Sequence, residues 1–181
     1  MNTWKIDAVH TDVKFKVKHM LVSNVTGQFN KFDGTIETSS DDFTDAKINF
    51  EADINSIDTR NEMRDNHLKS ADFFDAANYP KLTFVSKSFT KQTNDEFELT
   101  GDMTIRGITK EVNLEVTYNG MVKGMDGSDI TGFEIRGKLN RFDFNLHWNA
   151  LTETGGLAVG SDIKLEINTE LKKVNPLEKA A

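Results

Sequence analysis

The sequence predicts an all-β protein built as a closed antiparallel barrel of eight strands, with a short helical segment covering one end. Three observations predict it. Segment after segment alternates apolar and polar residues with a period of two, the mark of a strand with one wet face. Continuous apolar runs of the kind a parallel sheet buries on both faces are missing, so the sheet is antiparallel. A single stretch, from Ile57 to Phe84, interrupts the strands at length. Closing such a meander removes its exposed edges, and eight strands leave an interior about wide enough for one ligand.

Taken in order, Trp4 and Ile6 open a short strand that Asp7 to Asp12 turns. Val13, Phe15, Val17 and His19 then face one way and Lys14, Lys16 and Lys18 the other, so His19 points where the apolar residues point. Met20 to Asn24 breaks the alternation and reads as one helical turn. Val25 to Glu37 is extended, with a change of apolar parity between Phe29 and Ile36 that a bulge at Asp33-Gly34 would reconcile. Ser39 to Thr44 is a polar turn, after which Ala46, Ile48, Phe50, Ala52 and Ile54 keep a period of two.

In the interruption, Asp58 or Thr59 can cap a helix, Glu62 follows Thr59 as in a capping box, and no Gly or Pro intervenes before Pro80. Those signals predict a helix from about Arg60 to Ser70. Its apolar stripe of Met63, His67, Leu68 and Ala71 is narrow, so the helix covers something, such as an open barrel end, with Phe73 and Phe74 as a plug. Leu82, Phe84 and Phe89 resume the strands, followed by Phe97, Leu99, Met103 and Ile105, a turn at Arg106-Gly107-Ile108, and Val112, Leu114, Val116 and Tyr118. Gly120, Gly124, Gly127 and Gly132 predict a mobile rim loop. Phe133, Ile135, Gly137 and Leu139, then Ile163, Leu165, Ile167 and Leu171, make the last two strands. One domain over 1–174 is expected, with a frayed tail at 175–181. Strands of roughly 12 residues are about 40 Å long, and a tilt near 40° leaves a barrel about 30 Å tall.

Composition narrows the function. Lys plus Arg is 22 against 29 Asp plus Glu, a net charge of −7, and a field of that sign repels the phosphates of a nucleic acid. With no Cys there is no disulfide framework, thiolate nucleophile or cysteine metal site. His10, His19 and His67 could gather a metal with Asp7 or Asp12, but no two of them have ligand spacing on one element, so no metal is expected. Motifs of metalloproteases, P-loops, nucleophile elbows and dinucleotide folds are absent. No run approaches about 18 apolar residues, so no helix is expected to span a membrane. Strand-like sequence begins at once after Met1, which leads us to expect a cytoplasmic protein, or a periplasmic one if a leader has been removed. Thirteen Phe against 2 Tyr and 2 Trp bring ring surface without polar tips, suiting either an ordinary core or a dry pocket.

Longer motifs narrow it further. Trp4-x-Ile6-Asp7-x-x-His10, Phe15-x-Val17-x-His19-Met20, Gly27-x-Phe29 and Phe32-Asp33-Gly34 resemble the opening of the YceI-like polyisoprenoid-binding family. Arg60, His67-Leu68, Asp72-Phe73-Phe74-Asp75 and Tyr79-Pro80 before Phe84 are similar to its central signature. Gly101-x-Met103-Thr104-Ile105-x-Gly107-Ile108-Thr109-Lys110 resembles its later strand-turn motif, and Arg141-x-Asp143-Phe144 with Trp148-Asn149 its closing segment. Thr11 stands where that family usually has Ser, Ala8 and Glu111 where it often has Pro, and Asn145-Leu146-His147 where a Gly-containing run is typical, near the expected pocket mouth. The resemblance implies an extended lipocalin-like barrel whose apolar cavity holds an isoprenoid-tailed lipid, such as a quinone or a polyprenyl phosphate. It also implies a homodimer as a state to look for, and transient membrane contact is a further expectation.

Burying an alkyl chain contributes about 0.8 kcal/mol per CH2, so a dry tunnel holds a long tail with almost no polar contacts. We expect the tail to be lined by Phe15, Val17, Phe50, Phe84 and Leu99 on one side of the sequence and Met103, Leu114, Val116, Ile135 and Leu139 on the other. Met63 and Phe73 of the helical segment, with Phe142, Phe144 and Trp148, would stand near the mouth. His19 is the first candidate for a head group, followed by Arg60, Arg64 and His67, which can donate to a quinone oxygen or phosphate. Each has a plainer reading: His19 as a core histidine on a carbonyl, His67 as a cap on a neighbouring strand, the arginines as solvated charges. Other expectations are a fatty acid or fatty amide as ligand, a barrel enzyme using His19 and His67 as acid and base, or an interaction module docking through the Lys14, Lys16 and Lys18 face. A non-enzymatic carrier or storage protein needing no cofactor is the reading preferred.

Overall fold

Alternation of the kind described becomes eleven strands in one antiparallel sheet in the structure, a computed structural model that describes residues 1–175. They are β1 (Asn2–Ile6), β2 (Asp12–His19), β3 (Ser23–Phe29), β4 (Phe32–Thr38), β5 (Lys47–Asp53), β6 (Ile57–Asp58), β7 (Lys81–Lys91), β8 (Glu96–Ile105), β9 (Ile108–Lys123), β10 (Asp129–Asn140) and β11 (Val159–Lys173), with one helix, α1 (Glu62–Lys69). The first six are three long strands, each bent once: at the 3-10 turn Ala8–His10, at Asn30 and Lys31, and at the 3-10 turn Ile54–Ser56. Counted so, the sheet is a closed barrel of eight antiparallel strands. β11 closes it, pairing β2 through Phe15 opposite Leu165 and Val17 opposite Ile163, and β1 through Ile6 opposite Leu171. Among the described residues no helix is long and apolar enough to cross a membrane. Val174, just before the expected tail, is tied by its N–H donating to Thr3 O at 2.8 Å, and of the tail itself residues 176–181 lie outside the described ones.

Four local expectations are corrected. Met20 to Asn24 is no helical turn; Met20 and Leu21, at φ 51° and 64°, form a tight hairpin turn, closed by the Val22 N–H on His19 O at 3.2 Å. Both central residues of such a turn are left-handed because only that twist matches the flanking strands. The change of parity is made at Asn30 and Lys31, whose N–H groups donate to Ser56 O at 3.1 Å and Ser56 Oγ at 2.9 Å, while Asp33 and Gly34 lie in regular pairing with Glu51 and Phe50. The helix starts later than expected, capped by Asn61 Oδ1 on the Arg64 N–H at 2.9 Å, because Thr59 is engaged elsewhere: its hydroxyl bonds Asp65 and accepts from Arg64. Finally, Gly120 and Gly132 belong to β9 and β10, and the turn between those strands is only 124–128, because the pairing runs on to Asp129 opposite Lys123.

One end of the barrel is packed solid. Phe43, buried and left-handed at φ 61°, turns in from the hairpin between β4 and β5 onto Trp4 (ring centroids 5.3 Å), Phe133 (5.2 Å) and Tyr118 (6.3 Å). The same hairpin is tied outside by Asp45, which accepts from the Ser39 N–H at 2.9 Å and from the hydroxyls of Thr38 and Ser39. Those bonds hold its carboxyl well below the usual carboxylate range. The polar turn expected at Ser39 to Thr44 thus hides an aromatic floor.

Candidate functional site

Above that floor the inward faces do not meet. They line a cavity of about 680 Å³ that runs from Phe43 and Phe133 to the opposite end. The reason lies partly in glycine. Phe15 faces Gly27 across the β2–β3 pair, and a Cβ on Gly27 would stand 2.3 Å from the tip of its ring. On β8, a Cβ on Gly101 would stand 2.4 Å from the tip of the Phe84 ring. The rings therefore lie over bare backbone of a neighbouring strand instead of reaching for the centre. Phe15, Val17, Phe50, Ile135, Leu165 and Ile167 line the hollow and stay only half-buried, although they point inward. Side chains in a filled core would not.

α1 and the segment after it cover part of the opposite end. Phe73 is buried against His67 (5.2 Å between ring centroids) and Trp148 (5.3 Å), His67 stands edge-on to Trp148 at 4.6 Å, and Phe74 packs on Phe29 at 6.3 Å. His67 Nε2 bonds Asp72 Oδ2 at 2.8 Å. The narrow stripe is narrower still than its periodicity suggests: Leu68 packs on the core, whereas Ala71 and Met63 are exposed, Met63 to 82%. Lys18, His19, Asn61 and Met63 line the cavity and are also exposed, which makes this end the mouth.

One buried cation organises the rim. Arg141, only 3% exposed, donates from Nε to Gly160 O at 2.8 Å, from Nη1 to Leu146 O at 2.5 Å and Trp148 O at 2.9 Å, and from Nη2 to Val159 O at 3.2 Å. Among the described residues no carboxylate pairs with it, and burial pushes its guanidinium below its ordinary value. It clasps the connection between β10 and β11 to the barrel wall by charge-assisted bonds to carbonyls.

Seventeen of the nineteen side chains singled out from the sequence line this cavity: Phe15, Val17, His19, Phe50, Met63, Arg64, His67, Phe73 and Phe84 from the first half, and Leu99, Met103, Leu114, Val116, Ile135, Leu139, Phe144 and Trp148 from the second. Two do not. Arg60 is exposed at a left-handed corner (φ 63°) where the chain turns into α1; Arg64, one turn on, is the arginine folded inward, onto Thr59 Oγ1 at 2.7 Å and Thr59 O at 2.6 Å. Phe142 lies outside, stacked on His147 at 5.3 Å and under the Arg141 guanidinium at 4.7 Å, because the 3-10 turn Arg141–Phe144 sends Phe144 in and Phe142 out. Missed by the sequence reading were Phe43, Arg141, Thr59 and Asn61. Ile163, Leu165 and Ile167 were assigned the right strand and could have been added from parity alone. His10 does not join His19 or His67; it meets Asp7 at 3.0 Å and Glu170 at 3.6 Å on the surface near the β1–β2 bend.

Comparison with known proteins fits this geometry. The sequence pattern of a YceI-like domain matches residues 4–171. A UPF0312 protein of Staphylococcus aureus (strain MSSA476) is 41% identical over 171 residues, which is 94% of this chain and 97% of that one. A Campylobacter jejuni YCEI protein of known crystal structure superposes with a TM-score of 0.75 at 37% identity, covering 93% of this chain and 96% of that one. Burkholderia cenocepacia BcnA superposes at 0.79 with 22% identity (91% and 98%), and a polyisoprenoid binding domain from Saccharophagus degradans at 0.70 with 13% (93% and 97%). At those last two identities the likeness is one of fold.

Proposed function

Since the chain belongs to the YceI-like domain family, we propose that it is a non-enzymatic binding protein that carries or stores an isoprenoid-tailed lipid in the barrel. One observation carries this reading: apolar side chains that point inward line a hollow of about 680 Å³ without closing it. A cavity so lined takes an apolar tail for the free energy of removing it from water and asks little of the head group. If a methylene fills about a water's liquid share, near 30 Å³, there is room for at most roughly twenty carbons. That the Saccharophagus degradans structure is of a polyisoprenoid binding domain supports an isoprenoid over a straight chain. His19, Arg64 and His67, which line the cavity, are the residues that would meet a quinone oxygen or phosphate beside the tail.

The test uses protein purified without detergent. Mass spectrometry of an organic extract should find a prenyl lipid, and Ile135→Trp, which puts a ring into the hollow, should lose it. Lys16→Glu, on the outer face beside Glu166, should keep it. A fatty acid or amide in the extract would keep the cavity and change the ligand class. Equal retention in both variants would remove the cavity reading.

A further inference from the structure

The mouth carries apolar side chains that the cavity does not use. Leu21 and Val22 at the β2–β3 hairpin tip are 73% and 85% exposed, Leu151 on the β10–β11 connection is 76% exposed, and Met20 and Leu157 are about half so. None of the five lines the cavity. They form one patch: the Met20 N–H donates to Ala158 O at 2.9 Å, Leu151 bridges Leu157, and a Cβ on Gly156 would stand 3.9 Å from Leu21 Cδ1. The patch adjoins the mouth directly, since Lys18, His19, Ala158 and Val159 line it.

Stability does not explain the tip. A β-turn with both central φ values positive favours Gly, Asn and Asp, and placing larger side chains in the left-handed region is unfavourable. Here Met and Leu occupy it, exposed to water, so that strain and apolar exposure fall on the same two residues.

We propose that these two loops are a bilayer-docking tip, which seats the cavity mouth in the apolar layer of a membrane so that a lipid tail passes between bilayer and barrel without crossing water. The inference rests on the reading of the cavity given above. A long tail leaves a bilayer cheaply only along a continuous apolar path, and the patch extends the cavity lining out to the rim. A protein partner fits less well: five side chains on two loop tips are far from the roughly 20–30 residues a side of a specific interface. Lys18 at the rim has no ion-pair partner among the described residues and suits phosphate head groups, while Glu153 is the carboxylate on the loop that faces them.

Met20→Asn with Leu21→Gly gives the turn its preferred residues, so the variant should fold at least as well as the parent. With Leu151→Ser added, we expect flotation with vesicles of phosphatidylcholine containing a minor fraction of phosphatidylglycerol to fall at least about tenfold. Withdrawal of a fluorescent prenyl probe from those vesicles should slow similarly, with uptake of the same probe from detergent solution unchanged. Flotation uses no ligand and judges the tip alone: a parent that does not float, or a variant that floats equally, overturns the proposal. A parent dimer that the substitutions dissociate, without vesicle binding, assigns the patch to a second copy and overturns it too. Failure of the parent to take the probe from detergent would instead sink the cavity reading.

Discussion

Single side chains decide how the barrel is held at its bends. His10 and Asp7 share a 3.0 Å bond, with Glu170 of β11 at 3.6 Å, where the chain passes from β1 to β2. Its bond to Asp7, and the charges of Asp7 and Glu170, raise the His10 value above its ordinary 6.5, while the bond to His10 lowers Asp7 below 3.8. For a raised histidine, the stabilisation is complete below the unfolded value and is lost as pH climbs through the folded one. For a lowered carboxyl, it is present above the unfolded value and lost as pH falls through the folded one. The pair therefore supports the bend fully between about pH 4 and 6.5. An NMR titration should find the His10 midpoint lower in Asp7→Asn than in the parent; an unchanged midpoint would mean that the pair is not formed in solution. Residue type alone separated the inward residues from the outward ones poorly where the backbone leaves regular structure. Arg60 and Arg64 read alike in sequence, as do Phe142 and Phe144, and a left-handed corner in one case and a 3-10 turn in the other determine which points in. Arg141 stood in the closing motif without a role, because nothing in a string of letters says that a charge will be buried on four carbonyls.

At the level of elements, period two was legible wherever a strand is regular, and β8 to β11 follow the apolar parity closely, whereas β7 changes parity between Phe84 and Phe89 at a register shift between Ser86 and Ser88. The long first strands were harder: their halves have opposite parity, and the bend is made by Ser56, distant in sequence, rather than by the local Asp33-Gly34 pair. The helix was legible from its uninterrupted run, but its cap was not, since Thr59, Asn61 and Asp58 are all capping residues and only the Thr59–Asp65–Arg64 bonds choose between them. The glycine sockets have a consequence of their own. Gly27→Ala would place a methyl where the Phe15 ring lies, pushing the ring into the hollow at a cost of about 1–3 kcal/mol in stability. Binding of a prenyl probe should weaken, and Phe15→Leu on the same background should restore it. Weak binding that no reduction of Phe15 rescues would show that the ring's position is not what keeps the cavity open.

The whole molecule divides its interior unequally: an aromatic floor around Phe43, a hollow above it, and a mouth bordered by α1 and the β10–β11 connection. Eight strands and closure could be anticipated from the meander, because closure is what a sheet of alternating strands requires to lose its edges. Whether the centre would be filled could not, since a core and a pocket are written with the same residues and differ only in how rings lie on their neighbours. The central claim is therefore best tested by tail length. Binding of prenyl alcohols from one to six isoprene units, followed by displacement of a fluorescent fatty probe, should tighten at least about tenfold per unit while the tail lengthens inside the barrel. It should then level off near four units, where roughly twenty carbons fill the space above the floor. Affinity that does not depend on tail length would contradict the account, because it would mean that the chain never enters.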